Sequence, residues 1–312
     1  MRESPATLLP LVILALLSAS AHASAQTPAV PPPAPQNPSP MVEHTRAHGR
    51  IPQHEPPGKR RSFTGPLAKP VQLYLPLGAE RAGELRLVVF FHGASFIPEV
   101  AASKLGGQYA VATVNLGPGS GVYDRTFRDP AVYDSLVAQI AREATAELAR
   151  PASFSRVALV GFSAGHGAIR AILRNARHFD AVDAVLLLDG LHTSYVPEGT
   201  VMAEGGTLDT TNLDPFVRYA RSAMRGEKQF VVTHSEIFPG TFASTTETAD
   251  YLVQTLGLRR TPLLRWGPNG MQQLSEVRQG RFEILGFAGN TGPDHIDHVH
   301  GLPDFLGRIE RR

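Results

Sequence analysis

The chain has 312 residues, of which 42% are hydrophobic and 19% are charged. This composition supports a sizeable buried core and excludes a chain that is disordered throughout. Lys and Arg (30 residues) nearly balance Asp and Glu (28 residues), which leaves a formal charge of +2. Because nucleic-acid binding needs clustered positive charge, we expect no nucleic-acid partner. The sequence contains no cysteine, which excludes disulfides, a thiolate nucleophile and cysteine-ligated metal sites.

Residues 1–25 have the pattern of a secretory signal peptide. A positive charge near the start precedes an apolar run over residues 8–17, and small residues precede possible cleavage points after Ala23 or Ala25. The apolar run is shorter than the roughly 20 residues that a membrane-spanning helix needs. We therefore expect export to the periplasm or the extracellular space, and no membrane span in the mature protein.

Residues 26–70 are rich in proline, as in Pro31-Pro32-Pro33 and Pro56-Pro57. Each proline lacks a backbone N–H and restricts the residue before it, so this stretch predicts a disordered, extended linker. The remaining residues, 71–312, then form one catalytic domain.

Short apolar runs alternate with amphipathic helical stretches after residue 70. This alternation predicts an α/β domain whose central sheet is mostly parallel and has helices on both faces. The runs that indicate buried strands are residues 87–91, 109–116, 157–160, 184–188, 230–233 and 282–287.

Three helices are predicted from their end signals. Asp129-Pro130 combines an N-cap with proline at the first helical position, and apolar residues follow at intervals of four. Ser244 to Glu247 forms a capping box for a helix that ends near Gly257. A short final helix is expected from Pro303.

The stretch from Val157 to Ile169 places a G-x-S-x-G motif between a buried strand and a helix. A serine on such a tight turn has a strained backbone, and bulky residues two positions away would collide with it. Gly161 and Gly165 meet this need. The motif therefore predicts Ser163 as a nucleophile, and the helix N-terminus would stabilise the anion formed in acyl transfer. We expect His166 to be structural or to line the rim of the site.

The chain resembles the α/β-hydrolase superfamily over about residues 71–312. The stretches that carry the resemblance are VVFFHGAS, VALVGFSAGHGA, AVLLLDGLH and GNTGPDHIDHVHGLPDFL. The resemblance implies an eight-strand-like sheet, a Ser–acid–His triad in that chain order, and hydrolysis of an ester, amide or related acyl bond. It is a general similarity to small exported esterases and lipases.

The resemblance also implies an oxyanion hole made of two backbone N–H groups. One comes from the residue after the nucleophile, which is Ala164 here. The other comes from the loop that follows the strand at residues 87–91, where His92-Gly93 leads to Ala94. The dipeptide His92-Gly93 also fits an ordinary turn.

The serine needs an imidazole to accept its proton. The chain order implied by the resemblance places this histidine after the last strand, where His295, His298 and His300 compete. We favour His295, because it follows a glycine-rich loop that could bring it over the sheet edge. His298 is the main rival.

The acid must lie beside the histidine. Asp189 ends the apolar run 184–188, and the carboxyl ends of strands in open α/β sheets are where functional residues gather. In the commonest family pattern the acid follows the next strand, and there Glu236 is the rival. Asp294 and Asp297 are further candidates.

Two other functions fit the sequence. The chain could be a non-catalytic binding protein of the same fold, or a metal-dependent hydrolase that uses His295, His298, His300 and Asp297. The serine mechanism itself requires neither a metal nor an organic cofactor, and its partner is a small-molecule or polymeric acyl substrate. Residues 190–225 could shape the acyl pocket, and the candidates there are Tyr195, Met202 and Phe216.

Overall fold

The structure is a computed structural model and describes residues 48–310. The predicted signal peptide and the first part of the predicted linker lie outside the described residues. The strands of the main sheet are β1 Gly58–Phe63, β2 Val71–Pro76, β3 Leu85–Phe91, β4 Tyr109–Val114, β5 Phe154–Phe162, β6 Ala184–Leu188, β9 Gln229–His234, β10 Thr261–Trp266, β11 Gln272–Gln279 and β12 Phe282–Phe287. Two short strands, β7 Tyr195–Val196 and β8 Thr207–Leu208, pair with each other.

Helices connect most of these strands. They are α1 Phe96–Leu105, α2 Ser120–Phe127, α3 Pro130–Leu148, α4 His166–Arg174, α5 Ala176–Ala181, α6 Asp214–Met224, α7 Thr245–Thr255, α8 Gly292–His300 and α9 Leu302–Glu310.

The main sheet has the order β1-β2-β4-β3-β5-β6-β9-β12-β11-β10. The six strands from β4 to β12 in this order are parallel, and the strands at both edges pair antiparallel. The prediction of a mostly parallel sheet flanked by helices is confirmed. Because Phe162 pairs with Leu188, and Leu188 with Thr233, the carboxyl ends of β5, β6 and β9 lie side by side.

The central strands are buried on both faces, as their continuous apolar sequences predict. In β3, Leu87, Val89 and Phe91 belong to one apolar cluster, while Val88 and Phe90 belong to another on the opposite face. This alternation follows from the two-residue period of a strand. The sheet therefore lies between two apolar layers.

The three predicted helices are present with the expected ends. Asp129 caps α3 by accepting the N–H of Ala131, and Ser244 and Glu247 form the capping box of α7. The final helix, α9, begins at Leu302, one residue before the predicted start, and its buried side chains include Phe305.

Residues 58–63 correct the predicted boundary of the linker, because they form β1 and pair with β2. This segment contains no proline, and an edge strand needs hydrogen bonds on one side only, so the proline-rich surroundings do not prevent pairing. The folded part of the chain thus starts before residue 71. In residues 48–310 no helix combines the length and the apolar character needed to cross a membrane.

Candidate active site

Ser163 lies on a sharp turn between β5 and α4. Its φ is +47°, a left-handed conformation that is strained for a residue with a side chain. Residues 163–165 form a single 3-10 turn before α4 begins at His166. A methyl group at Gly165 would overlap the carbonyl oxygen of Phe91 on the neighbouring strand, so glycine is needed there. The turn holds the partly exposed serine at the end of the sheet.

Asp189 follows β6 and also has a left-handed backbone, with φ +41°. The residue is 1% exposed. One carboxylate oxygen accepts hydrogen bonds from the N–H of Ser235 (2.8 Å) and the hydroxyl of Thr245 (2.6 Å). The other accepts from the Ser235 hydroxyl (2.8 Å) and lies 2.7 Å from His295 Nδ1. Four donors therefore surround this carboxylate.

Asp189 is ionised despite its burial. Burial alone would raise its pKa, but attraction to His298, together with the hydrogen bond and attraction from His295, holds the pKa far below its ordinary value. A buried carboxylate that accepts a hydrogen bond from His295 Nδ1 leaves Nε2 of that ring as the proton acceptor.

The Asp189–His295 pair lies next to Ser163. The ring of His295 packs against Phe162, the residue before the serine, with ring centroids 4.7 Å apart. Gly190, the residue after the acid, lies so close to the serine turn that a Cβ there would be 2.8 Å from both the N and the O atom of Ser163. Within residues 48–310 the Nε2 atom of His295 forms no hydrogen bond, and its side chain is 24% exposed. Phe162 and Gly190 thus bring Ser163, Asp189 and His295 to the same end of the sheet.

The start of α8 positions His295. Thr291 and Asp294 form a capping box, in which the Asp294 carboxylate accepts the N–H and the hydroxyl of Thr291. Asp294, a candidate for the acid, therefore caps the helix instead. His295 is one residue further along the first turn, where it reaches Asp189.

The rival residues His298, His300 and Glu236 have different partners. His298 is 1% exposed, and its Nδ1 lies 2.7 Å from the hydroxyl of Thr233, which also accepts the N–H of Asp189. His300 Nδ1 accepts the N–H of Ile51. Glu236 is exposed and accepts the N–H of Gly289. His295 is therefore the C-terminal histidine that bonds the Asp189 carboxylate, and His298 supports the same loop through Thr233.

The N-terminal end of the described chain lies across α8. The Asp297 side chain is 0% exposed and pairs with His48 and with Arg50. Arg50 also donates to the carbonyl of Pro293. Together with the bond from Ile51 to His300, these contacts attach residues 48–51 to the helix that carries His295.

The metal cluster considered for His295, His298, His300 and Asp297 is not gathered at one point. Among the described residues, the one group of three whose ligand atoms lie within 4.8 Å of one another is His48, Asp294 and Asp297. Arg50 donates to Asp297 in the same place. This guanidinium opposes the binding of a second cation.

The two predicted oxyanion donors lie in different loops, after β5 and after β3. Ala164 is in the first turn after Ser163, where backbone N–H groups have no acceptor within the helix. Ala94 is exposed in the loop after β3. The ring of His92, before it in this loop, stacks on Phe162 with centroids 6.0 Å apart. Burial lowers the pKa of His92, so that this ring is neutral at pH 7.

A cavity of about 710 Å³ opens beside Ser163. Its lining residues include Ala164, His166, Arg170, His192, Asn212 and Phe242. His166 thus lies in the site wall, and its Nδ1 is 2.8 Å from the carbonyl oxygen of Ser163. Burial lowers the pKa of His166 and of His192, which makes both rings neutral.

The three residues considered for an acyl pocket lie elsewhere. Tyr195 is buried and donates to Glu247, Phe216 is in the core, and Met202 is 49% exposed at the surface. Sequence reasoning missed His192 and Phe242, whose rings pack edge to face at 5.1 Å. The sequence could have indicated His192 as a residue of the site, because it follows Asp189 by three residues in the loop after β6.

Comparison with family models and with curated proteins gave no match. Solved structures similar to this chain include a puromycin-hydrolyzing peptidase from Mycobacterium tuberculosis, with 17% identity and a TM-score of 0.42 over 83% of this chain and 41% of that chain. An acylaminoacyl peptidase from Pyrococcus horikoshii has 13% identity and a TM-score of 0.43, and the match covers 83% of this chain and 41% of that chain. Esterase 2 from Thermogutta terrifontis, phosphorylated by paraoxon, has 13% identity and a TM-score of 0.43, and the match covers 84% of this chain and 99% of that chain. The chain spans 41% of the length of each peptidase.

The fold of residues 58–310 is that of the α/β-hydrolases. Its sheet is mostly parallel, and the sharp turn at Ser163 lies between β5 and α4. The resemblance seen in the sequence is therefore confirmed for the fold.

Proposed function

We propose that the protein is a serine hydrolase that cleaves an ester or related acyl bond through Ser163, His295 and Asp189. The observation that carries this proposal is the hydrogen-bonded Asp189–His295 pair packed beside a serine with a φ of +47°. Strained residues and buried ion pairs gather where they serve function.

The reaction follows from this arrangement in two halves. Ser163 Oγ attacks the carbonyl carbon and its proton moves to His295 Nε2, while the N–H groups of Ala164 and Ala94 hold the oxyanion. The imidazolium, stabilised by Asp189, then gives the proton to the leaving oxygen, and an acyl-enzyme remains. Water then attacks the acyl-enzyme ester with His295 as the base. The carboxylic acid product leaves when His295 returns the proton to Ser163.

Export remains part of the proposal. It rests on the signal-like residues 1–25, and it would place the reaction in the periplasm or outside the cell.

Labelling with a fluorophosphonate tests the serine mechanism directly. We expect one adduct, located on Ser163 by peptide mass spectrometry, and its loss in Ser163→Ala. A chelator should leave the labelling unchanged. Hydrolysis that stops with a chelator but continues in Ser163→Ala would instead support a metal-dependent hydrolase. A folded protein that is not labelled and hydrolyses no ester would support a binding protein.

The contact between Gly190 and the serine turn gives a second prediction. In Gly190→Ala the new methyl group would press on Ser163 N and O at 2.8 Å. We expect a loss of about 1–3 kcal/mol in the free energy of unfolding, because overpacking forces the backbone to shift. A shift of about 1 Å at the nucleophile should also lower kcat/KM about 100-fold.

Gly307→Ala is the matched control, because a Cβ at this position in α9 meets no atom within 4 Å. Alanine is the better helix former by about 1 kcal/mol, so this variant should be at least as stable as the native protein. Urea unfolding and p-nitrophenyl acetate hydrolysis measure both effects. If the two variants have equal free energies of unfolding and equal kcat/KM, Gly190 does not restrain the turn.

A further inference from the structure

The cavity beside Ser163 has a guanidinium group in its wall. Ser163, His166 and Arg170 all line the cavity, and their spacing of three and four residues places them on one side of the helical segment. Helical side chains lean toward the N-terminus of the helix. The side chain of Arg170 therefore extends back along α4 toward the serine turn.

Arg170 is held in place and keeps unused donors. Its residue is 8% exposed, and its Nε donates to Asp124 at 2.8 Å. In the part of the chain that the structure describes, neither of its Nη atoms has a protein hydrogen-bond partner. A planar guanidinium with two free Nη groups suits a carboxylate, which it binds with two parallel hydrogen bonds.

The surroundings of Arg170 carry an excess of positive charge. The Asp124 carboxylate also pairs with Arg128 and Arg174, so one buried anion faces three guanidinium groups. Burial alone would raise the pKa of Asp124, but these arginines lower it, so it is ionised. The neutral rings of His166 and His192 do not change this balance. Among the described residues that line the cavity, the one carboxylate is Glu198, which is exposed.

We propose that this cavity binds a carboxylate of the substrate through Arg170, so that the favoured substrates are short esters that carry a second, free carboxylate. The inference rests on the proposed serine hydrolase function. Seven residues of helix span about 10 Å, and the arginine leans back over part of this length. The free carboxylate should therefore lie a few bonds from the scissile carbonyl, as in the half-esters of succinic, glutaric and adipic acid.

The test compares each half-ester with a neutral ester of the same length. Monoethyl succinate, glutarate and adipate are paired with ethyl butyrate, valerate and hexanoate, and the released ethanol is measured. We expect a higher kcat/KM for at least one half-ester than for its neutral partner. In Arg170→Gln the ratio of the two values should fall about 10- to 100-fold, the range of a lost hydrogen bond to a charged group. Arg170→Lys should keep part of the preference.

Arg142→Gln is the matched control, because Arg142 is exposed on α3 and does not line the cavity. In this variant the ratio of kcat/KM for the half-ester to kcat/KM for the neutral ester should equal that of the native protein. O-Butyrylglycolic acid, with the carboxylate in its alcohol half, identifies which half of the substrate occupies the cavity. A preference for this ester over ethyl butyrate that depends on Arg170 also supports the proposal.

Fluorophosphonate labelling separates the two levels of inference. If Ser163 is labelled but neither a half-ester nor O-butyrylglycolic acid is preferred, the carboxylate site is overturned and the serine hydrolase stands. If Ser163 is not labelled, the hydrolase proposal itself fails. Should Arg170→Gln not fold, inhibition of the native protein by glutarate and by glutaramide gives a second measurement. Equal inhibition by the dianion and by the neutral diamide would overturn the carboxylate site.

Discussion

Replacing Ser163 or His295 by alanine is expected to lower kcat by about 10⁴- to 10⁶-fold, the largest loss in the molecule. Each change removes one member of a proton-transfer unit, and the remaining member has no separate task. The double variant should therefore be hardly worse than either single variant. A panel of p-nitrophenyl esters of increasing acyl length, followed at saturating substrate, measures these rates.

His300→Gln serves as the control for this experiment. His300 lies two turns beyond the start of α8 and bonds the N–H of Ile51, so its loss should weaken the attachment of residues 48–51 and lower the rate far less than the loss of His295. Activity of Ser163→Ala within tenfold of the native value would refute the nucleophile. A large loss of kcat in His300→Gln, with no loss in His295→Ala, would identify His300 as the base.

The second large effect is expected at Asp189. In Asp189→Asn an amide would face four donors, and its NH₂ group cannot accept any of their hydrogen bonds. His295 would then adopt the other tautomer, and kcat should fall about 10⁴-fold. The unpaired donors should also lower the free energy of unfolding by about 3–5 kcal/mol at pH 7.

The stability loss in Asp189→Asn depends on pH. The pKa of Asp189 is lowered in the folded protein, so the unfolded chain binds a proton more readily. The stabilisation is therefore fully present above the unfolded value of about 3.9, and it is lost as the pH falls toward the folded value. Urea unfolding from pH 3 to pH 7 should show the native and variant proteins approaching each other below about pH 4. A difference that stays constant or widens on acidification would contradict an ionised Asp189.

The parts of the site that could be predicted are those with a local cause. Ser163 was recognisable because its turn requires small residues on both sides, and Asp189 because it directly follows a buried strand. The buried strands themselves followed from continuous apolar runs. Each of these patterns is complete within a few residues of the chain.

The remaining features depend on contacts between distant segments. The choice of His295 over His298 is decided by where α8 begins relative to β6, and the capping of Asp294 sets this start. The donors around Asp189 come from the loop after β9 and from α7. The cavity wall at His192 and Phe242 joins two loops, and β1 was hidden by the prolines around it. No short pattern carries such information.

The attachment of residues 48–51 to α8 has a consequence for how the chain can be shortened. Composition would place the first indispensable residue near 71, after the last proline of the linker. A chain that begins there would lack β1. It would also lack His48 and Arg50, so the buried carboxylate of Asp297, two positions from His295, would lose both of these partners. Residues 48–51 thus hold the helix that carries His295, and a shortened chain should keep them.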